Sequence, residues 1–360
     1  MSRSMKIAFL NIYNGVVNRG AETFVKELAS RLANKYEITV FQSGEPMGNG
    51  KYKIVRLPVN WNWNKKSGVG TLAARFFMDY WNRKIFVFAF KAAPKILKEK
   101  FDIVVPVNGG WLPAVMRIVT WLYGGKMVIS GQSGIGWDDR VNLYSLPNYF
   151  IPISSLALEW SKKVNPLVKS VYIPNGVDTN KFKPEGEKIS IDLKKPVILC
   201  VGALTEAKRI DLVIKAVSKI SGASLLIVGR GEEEKSLQSL GERLLKGRFE
   251  IMSFPYEKMP EVYRAGDIFT LVSQPYHSFE NVLVEAMATN LPVVANNDPI
   301  RKEIIRDGGL LVNPDNTEEY ANALRSALEI NWGNKPQEQA KKFDWDNISR
   351  EYIKLINNLL

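Results

Sequence analysis

The sequence predicts an α/β protein made of two Rossmann-like domains. Short apolar segments alternate with amphipathic, helix-like segments in the first half of the chain, and the same alternation starts again at Pro196. Glycine-bearing loops follow several of the predicted strands, which is where open parallel sheets bind their ligands. The 360 residues give each domain room for a core of its own.

Composition narrows the class of protein. Charged residues make up 24% and apolar residues 46% of the chain, as in ordinary water-soluble proteins. A single cysteine, Cys200, excludes an internal disulfide, and a single histidine excludes zinc sites built on two or more histidines. The first residues do not resemble a secretory signal, and no run of about 18 apolar residues is present that could span a membrane. We therefore expect a cytoplasmic protein.

The basic charge is concentrated in the first half of the chain. Residues 1–178 contain 24 Lys/Arg and 11 Asp/Glu, whereas residues 179–360 contain 25 and 26. This asymmetry predicts an acidic partner for the first half. The candidates are an anionic membrane surface, a phosphate-bearing acceptor and a nucleic acid.

The first domain begins with a unit of strand, loop, helix and strand. Residues 6–11 are the first predicted strand, residues 14–20 a glycine-bearing loop and residues 21–33 an amphipathic helix. Strands over residues 37–41 and 53–58 follow. Short apolar strands in this order indicate a right-handed parallel α/β unit.

Residues 60–101 form the most unusual segment. It carries nine Lys/Arg against only Asp79 and Glu99. Cations interleaved with large rings in a helical stretch are typical of a membrane interface, where rings insert and cations meet anionic headgroups. The alternative is two ordinary helices whose rings pack on the sheet. Nucleic acid binding is not expected, because no single-strand-binding motif accompanies the rings. These rings belong to Trp61, Trp63, Phe76, Phe77, Tyr80, Trp81, Phe86, Phe88 and Phe90.

Three more strands and an apolar helix complete the first domain. The strands are predicted over residues 103–107, 126–130 and 149–154. Between the first two, residues 111–122 form a strongly apolar helix that we expect to be buried.

The loop after residue 130 is a candidate for the acceptor side of a site. Gln132 and Ser133 lie there between glycines, at the carboxyl end of a predicted strand. Asp138 and Asp139 come further on. None of these is an unambiguous general base.

The second domain restarts with a strand over residues 196–201. Gly202 follows this strand, and Gly229 and Gly231 follow the next. Glycines at such positions let a nucleotide approach the backbone closely. Lys208 and Arg209, in the loop after the first strand, are two adjacent cations that suit a diphosphate.

Residues 268–297 predict a strand, a loop, a helix and a second strand. The loop before the helix presents free backbone N–H groups and the positive end of the helix dipole, where a phosphate binds. Glu285 lies about one turn into this helix, among apolar neighbours.

This stretch resembles the signature of the family 4 glycosyltransferases, which are retaining enzymes of the GT-B fold. Residues 285–295 match the family's Glu-Ala-Met-Ala run and its Pro-Val-Val strand. Residues 171–178, 201–209 and 343–345 resemble the family's interdomain segment, its phosphate-binding loop and its C-terminal Phe-x-Trp. Three positions depart from the family pattern, where His277 stands for a Glu, Ala203 for an Arg and Arg19 for a Gly.

The resemblance implies a fold and a reaction. GT-B proteins have two Rossmann-like domains facing a deep interdomain cleft, here an acceptor-binding domain over residues 1–178 and a nucleotide-sugar-binding domain over residues 179–344. Residues 345–360 would form a helix that crosses back to the first domain. The implied reaction moves a sugar from a nucleotide diphosphate-sugar to an acceptor hydroxyl with retention of anomeric configuration. It needs no metal and no cofactor, because cations and helix N-termini stabilise the leaving diphosphate.

The resemblance also implies roles for particular residues. Glu285 would hydrogen-bond the nucleotide ribose, Lys208 and Arg209 would hold the diphosphate, and His277 would contact hydroxyls of the donor sugar. Catalysis is expected to depend on His277, Glu285 and Lys208. Further donor contacts are expected from glycines and from the backbone at the helix start, namely Gly20, Gly202, Gly229, Gly231, Phe279, Glu280, Asn281 and Val282.

The basic first half predicts an anionic or lipid-linked acceptor, as in the synthesis of a cell-surface glycan or glycolipid, and a peripheral position at the inner face of the plasma membrane. Two rival functions fit the same sequence. A nucleotide-sugar 2-epimerase shares the fold but normally needs several acid/base side chains in its cleft. A catalytically decayed, nucleotide-sugar-binding protein would explain His277 and Ala203 as lost catalytic features.

Overall fold

The computed structural model describes residues 4–17, 19–46, 50–62, 65, 71–274 and 279–359. The chain divides into two compact units. The first unit runs up to Pro174 and includes the residues from Ile348 onward, and the second is Asn175–Asn347. The sequence places this boundary after residue 178.

The first unit is built on a parallel sheet of six strands in the order β3-β2-β1-β4-β5-β6. Its strands are β1 (Lys6–Leu10), β2 (Glu37–Gln42), β3 (Lys53–Arg56), β4 (Ile103–Pro106), β5 (Lys126–Gly131) and β6 (Tyr149–Pro152). Its helices are α1 (Gly20–Leu32), α2 (Leu72–Arg75), α3 (Tyr80–Glu99), α4 (Trp111–Tyr123), α5 (Trp137–Tyr144) and α6 (Ser155–Val164).

Local sequence signals set the ends of these helices. α1 begins with a capping box, in which the Glu22 carboxylate accepts a hydrogen bond from the backbone N–H of Arg19 at 3.1 Å. Asp79 caps α3 by accepting from the backbone N–H of Trp81 at 2.9 Å. α3 ends at Lys100, whose left-handed backbone stops the helix. The predicted helices of this unit therefore form close to where the sequence places them.

The expectation that α4 is buried is wrong. Leu112 and Met116 are fully buried against the sheet, but Trp121 is 58% exposed and Leu122 69%. α4 has apolar residues on its outward side as well as on the side that packs on the sheet, and only one face of a helix can pack on one sheet. The outward face of α4 is therefore an apolar surface.

The second unit repeats the same topology. Its parallel sheet has the order β12-β11-β10-β7-β8-β9. The strands are β7 (Val197–Val201), β8 (Ser224–Val228), β9 (Phe249–Met252), β10 (Ile268–Leu271), β11 (Val293–Asn296) and β12 (Gly309–Val312). The helices are α7 (Ile210–Ser218), α8 (Glu234–Leu245), α9 (Met259–Tyr263), α10 (Asn281–Ala288), α11 (Pro299–Ile305), α12 (Thr317–Glu329) and α13 (Lys335–Lys341).

Both sheets are doubly wound, so the predicted α/β class is confirmed. In each sheet the strand order reverses beside the first strand, between β1 and β4 and between β7 and β10. Open α/β sheets bind ligands outside the carboxyl ends of the strands at this reversal. The fold therefore indicates one candidate crevice in each unit.

The last helix, α14 (Trp345–Asn357), belongs to both units. In the second unit Trp345 is almost fully buried and donates its backbone N–H to the carbonyl of Val177 at 3.1 Å. In the first unit the Tyr352 ring lies 5.9 Å from that of Phe24, and Asn357 accepts from the Tyr36 hydroxyl at 3.1 Å. Among the described residues, no helix combines the length and the apolar character needed to cross a membrane.

Candidate active site

The strand reversal of the second unit brings two loops together. β7 and β10 are neighbours, with Ile198 paired to Ile268. The loop after β7 leads to Lys208, and the loop after β10 begins at Ser273 and leads to the start of α10. Both loops therefore leave the sheet at the edge where α/β proteins bind ligands.

The predicted glycines of this unit are required by backbone packing. A Cβ on Gly229 would lie 1.8 Å from the carbonyl oxygen of Gly202, and a Cβ on Gly231 would lie 2.2 Å from that of Leu204. The loops after β7 and β8 run against each other, and the Leu204 N–H donates to the carbonyl of Arg230 at 2.9 Å. These contacts account for Gly229 and Gly231 within the unit, and their contact with a nucleotide stays a prediction.

Lys208 does not face the crevice as an uncompensated cation. Its ammonium donates to both carboxylate oxygens of Glu280 at 2.7 Å, and the two side chains are 14% and 6% exposed. The Ser273 hydroxyl donates to the same carboxylate at 2.7 Å. An ammonium has three hydrogens and the carboxylate takes two, so one donor is left for a ligand oxygen.

A second buried cation completes this network. A guanidinium nitrogen of Arg301, which is 1% exposed, lies 3.4 Å from Glu280 and another lies 3.4 Å from Asp298. Asp298 also caps α11 by accepting from the backbone N–H of Ile300 at 2.9 Å. Burial opposes ionisation of Glu280, but the charges of Lys208 and Arg301 outweigh it and lower its pKa. Two cations thus balance two anions beneath the crevice.

Arg209, the other predicted phosphate ligand, is also paired. Its guanidinium forms an ion pair with Asp315. The Arg209 side chain is 20% exposed and the Asp315 side chain 70%, so this pair lies at the surface, where ion pairs are weak. A ligand can compete for Arg209 more easily than for Lys208.

The predicted backbone donors lie at the start of α10. Glu280 precedes the helix in a left-handed conformation with φ 60°, and Asn281 is the first helical residue. Phe279 is buried, its ring 5.6 Å from that of Phe343. The N–H groups of Asn281 and Val282 fall in the first turn, where a helix has no acceptors of its own to offer. Donation from these groups to an anion stays a prediction.

Glu285 is held by two tyrosines that the sequence did not single out. One carboxylate oxygen accepts from the Tyr263 hydroxyl at 2.8 Å and the other from the Tyr256 hydroxyl at 3.3 Å. The carboxylate is buried, so these two bonds fix its orientation. The sequence signal for these partners is the stretch 255–267, which resembles the family's nucleobase-binding segment. His277, the predicted sugar ligand, lies outside the described residues.

The predicted residues of the first unit occupy its carboxyl edge. Gly20 is the first residue of α1, and Gln132 and Ser133 follow β5. The Gln132 side chain donates to the Ser130 hydroxyl at 2.8 Å, and Ser133 is exposed. At the strand reversal, Asn108 accepts from the backbone N–H of Ile12 at 2.8 Å, a contact that no local sequence pattern predicted.

Asp139 anchors the loop that carries Gln132 and Ser133. It is 2% exposed and accepts from the Asn142 amide at 2.9 Å. Burial raises the pKa of Asp139 to about 7, although bonds from Asn142 and from the backbone of Gly134 and Ser133 favour the ionised form. This carboxyl group therefore changes charge near neutral pH.

Comparison with known proteins finds a family match in the second unit. Residues 195–329 match the family model described as glycosyl transferases group 1. Over these residues the second unit is similar to the group 1 glycosyltransferases. The matched residues include Lys208, Glu280 and Glu285, so the crevice of the second unit lies within the part of the chain that the family model recognises.

The curated relatives of this chain are distant. It is 27% identical to phosphatidyl-myo-inositol mannosyltransferase from Mycolicibacterium smegmatis over 57% of this chain and 56% of the relative. A second relative is N-acetylgalactosamine-N,N'-diacetylbacillosaminyl-diphospho-undecaprenol 4-alpha-N-acetylgalactosaminyltransferase from Campylobacter jejuni. The two proteins are 30% identical over 60% of this chain and 65% of the relative. The chain spans about half the length of the first of these curated relatives.

Solved structures share the fold over nearly the whole chain. Sucrose-phosphate synthase from Thermosynechococcus elongatus has a TM-score of 0.78 at 18% identity and covers 99% of both chains. Anabaena Alr3699/HepE, solved in complex with UDP-glucose, has a TM-score of 0.75 at 18% identity and covers 98% of this chain and 100% of that chain. The predicted GT-B fold is confirmed.

We expect Glu280→Gln to destabilise the protein by about 3 kcal/mol, because it leaves Lys208 and Arg301 beneath the crevice without their shared anion. Glu318→Gln removes one partner of an exposed pair with Lys219 and should change the stability little, because exposed ion pairs are weak. Urea unfolding followed by tryptophan fluorescence measures both. Equal midpoints for the two variants would contradict the importance of the buried network.

We expect the stability of the Asp139→Asn variant, relative to that of the natural protein, to increase as pH rises. The folded pKa of Asp139, about 7, is above the value of about 3.9 in an unfolded chain. Its stabilising contribution is therefore full below about pH 4 and is lost as pH rises through 7. The asparagine variant has no such loss. Melting temperatures at pH 5 and pH 8 test this, with the exposed Asp307→Asn as control. A difference between variant and natural protein that does not change with pH would refute it.

Proposed function

We propose that the protein transfers a sugar from a nucleotide diphosphate-sugar to an acceptor hydroxyl with retention of anomeric configuration. The observation that carries the proposal is the second unit's crevice, where the loop with Lys208 adjoins the start of α10, the helix that contains Glu285, within the region matched by the family model. Each of these groups has a chemical counterpart in such a donor. The match to the family model supports the same reaction class.

The donor would bind through three contacts. The buried carboxylate of Glu285 would accept from ribose hydroxyls, while Tyr256 and Tyr263 hold the carboxylate in place. The first N–H groups of α10 and the third hydrogen of Lys208 donate to diphosphate oxygens. Negative charge that develops on the leaving diphosphate is stabilised by these fixed dipoles, which need no reorganisation during the reaction.

The pairing of Lys208 with Glu280 changes how the phosphates are recognised. Because Glu280 neutralises the lysine, the diphosphate gains less attraction from Lys208 than it would from an unpaired cation. More of the recognition then comes from the helix start and from the surface cation Arg209. This pairing also favours the second candidate function, a protein that binds a nucleotide-sugar without transferring it.

The acceptor would be anionic or lipid-linked. The basic charge of residues 1–178 favours such a molecule. The names of two relatives include phosphatidyl-myo-inositol and diphospho-undecaprenol, which are phosphate-bearing lipids. Gln132 and Ser133 would lie on the acceptor side, and their loop is held by Asp139. Synthesis of a cell-surface glycan or glycolipid is the pathway class that fits.

The first unit would dock peripherally on an anionic membrane at the inner face of the plasma membrane. Among the described residues, nearly all large apolar side chains that are strongly exposed belong to this unit. Phe86 lies 4.6 Å from Phe90 and 5.8 Å from Trp111, ring to ring, so α3 and α4 share one aromatic surface. Of the rings in residues 60–101, Phe88 is buried in the core and Trp63 lies outside the described residues.

Glu285→Gln should weaken nucleotide binding by about tenfold or more, because a charged acceptor of ribose hydroxyls becomes a neutral one. Thermal shift with UDP, GDP and ADP, and with their sugar conjugates, identifies the nucleotide and measures the loss. Glu257→Gln, an exposed neighbour of Tyr256, is the control. Product analysis with the nucleotide-sugar that binds then separates transfer from binding alone. If no nucleotide shifts the melting temperature, both candidate functions fail.

Phe86→Ser with Phe90→Ser should reduce binding to vesicles by about tenfold, since two exposed rings can no longer insert into the interface. Co-sedimentation with anionic and with neutral vesicles measures this. Ile330→Ser removes an exposed apolar residue of the second unit and is the control. Equal binding by the natural protein, the double variant and the control would contradict the proposal that this surface binds membranes. Equal binding to anionic and neutral vesicles would contradict it as well.

A further inference from the structure

The first unit contains a cavity at the edge of its sheet opposite Gln132 and Ser133. The cavity has a volume of about 360 Å³. Lys126 and Tyr149, the first residues of β5 and β6, line it, so it lies at the amino ends of these strands. Asn358 and Leu359, which follow α14, also contribute to its wall. This position separates the cavity from the candidate acceptor side of the same unit.

The side chains around the cavity carry only positive charge. Three of the lining residues are cations and none is acidic: Arg117, Lys126 and Lys169. Like charges gathered around one cavity repel each other, and an anion placed between them relieves that repulsion. The cavity is thus electrostatically suited to a phosphate group.

Arg117 is held in place at the wall of the cavity. One guanidinium nitrogen donates to the Asn148 side chain at 3.0 Å, and the guanidinium lies 4.7 Å from the centre of the Trp121 ring. Because these contacts already order the side chain, little conformational entropy is lost when an anion binds beside it.

Exposed apolar side chains surround the cationic cavity. Leu167 and Leu146 line it and are 85% and 38% exposed. Trp121 and Leu122, at the end of α4, are 58% and 69% exposed. Cations beside exposed aromatic and aliphatic groups match the two layers of a membrane interface, the phosphates and the acyl chains. A soluble phosphate would need only the cations.

We infer that this cavity binds a phosphate group, and that its source is the headgroup of an acidic phospholipid. Arg117, Lys126 and Lys169 would contact the phosphate oxygens, while Leu167, Leu146 and the end of α4 would lie against the acyl chains. The site is specific for the phosphate, whereas the surface of α3 and α4 offers non-specific insertion. The inference does not rest on donor binding by the second unit.

The test uses a cavity variant that carries both Lys126→Gln and Lys169→Gln. This variant is compared with a matched control. The control, Lys235→Gln with Lys335→Gln, removes two exposed charges from the second unit and keeps the same net charge. Flotation with phosphatidylcholine vesicles, with and without phosphatidic acid, measures lipid binding. Thermal shift with inorganic phosphate measures binding of the free anion. We expect the cavity variant to lose at least about tenfold in binding to phosphatidic acid vesicles and the control to change less than about twofold.

The outcomes separate the two sources of phosphate. Loss of both lipid binding and the phosphate-induced shift supports the headgroup site. Loss of the phosphate shift alone supports the phosphate site and assigns it to a soluble ligand. Equal losses in variant and control, or no binding of either probe to the natural protein, would overturn the inference. The cavity variant should keep its thermal shift with a nucleotide, so failure here is distinct from failure of the proposed function.

Discussion

The buried carboxylate of Glu280 is the interaction on which the arrangement of the second unit's crevice depends. It bonds Lys208 from the loop after β7 and Ser273 from the loop after β10, and it lies 3.4 Å from Arg301 beyond β11. One anion therefore ties together the loops of three neighbouring strands. Because removing one partner of a buried ion pair is strongly destabilising, Lys208, Ser273 and Arg301 are held in place before any ligand arrives. Such preorganisation is what a diphosphate site needs.

The same interaction sets a limit on donor binding. A site with two unpaired cations attracts any polyanion. A site whose cations are paired with anions selects among anionic ligands by the positions of its hydrogen-bond donors. The remaining donors here, the first N–H groups of α10 and one hydrogen of Lys208, are directional. Recognition then depends on where the phosphate oxygens lie more than on their total charge. The Tyr256 and Tyr263 hydroxyls, which orient Glu285, extend this geometric control to the ribose.

Periodicity predicted most of the fold, because the strands and helices of a parallel α/β protein each have a hydrophobic pattern that is visible in the local sequence. It placed Glu285 one turn into α10 for the same reason. It did not predict the partner of Lys208, since Glu280 is 72 residues away and no local signal joins them. It was wrong about α4, because a helix with apolar residues on opposite sides looks identical in sequence whether one side or both are covered. Ion pairs between residues far apart in the chain, and the fraction of a helix surface that other elements bury, are properties of tertiary packing.

The exposed face of α4 connects the two edges of the first unit's sheet. α4 joins the carboxyl end of β4 to the amino end of β5, and its 13 residues span roughly 20 Å. Trp111 stands at the edge that carries the acceptor-side loop, and Trp121 stands beside the cationic cavity. A membrane lying along this face would hold a phospholipid at one end of the helix and reach the acceptor-side loop at the other. The lipid-linked acceptor proposed above would then meet that loop without leaving the interface.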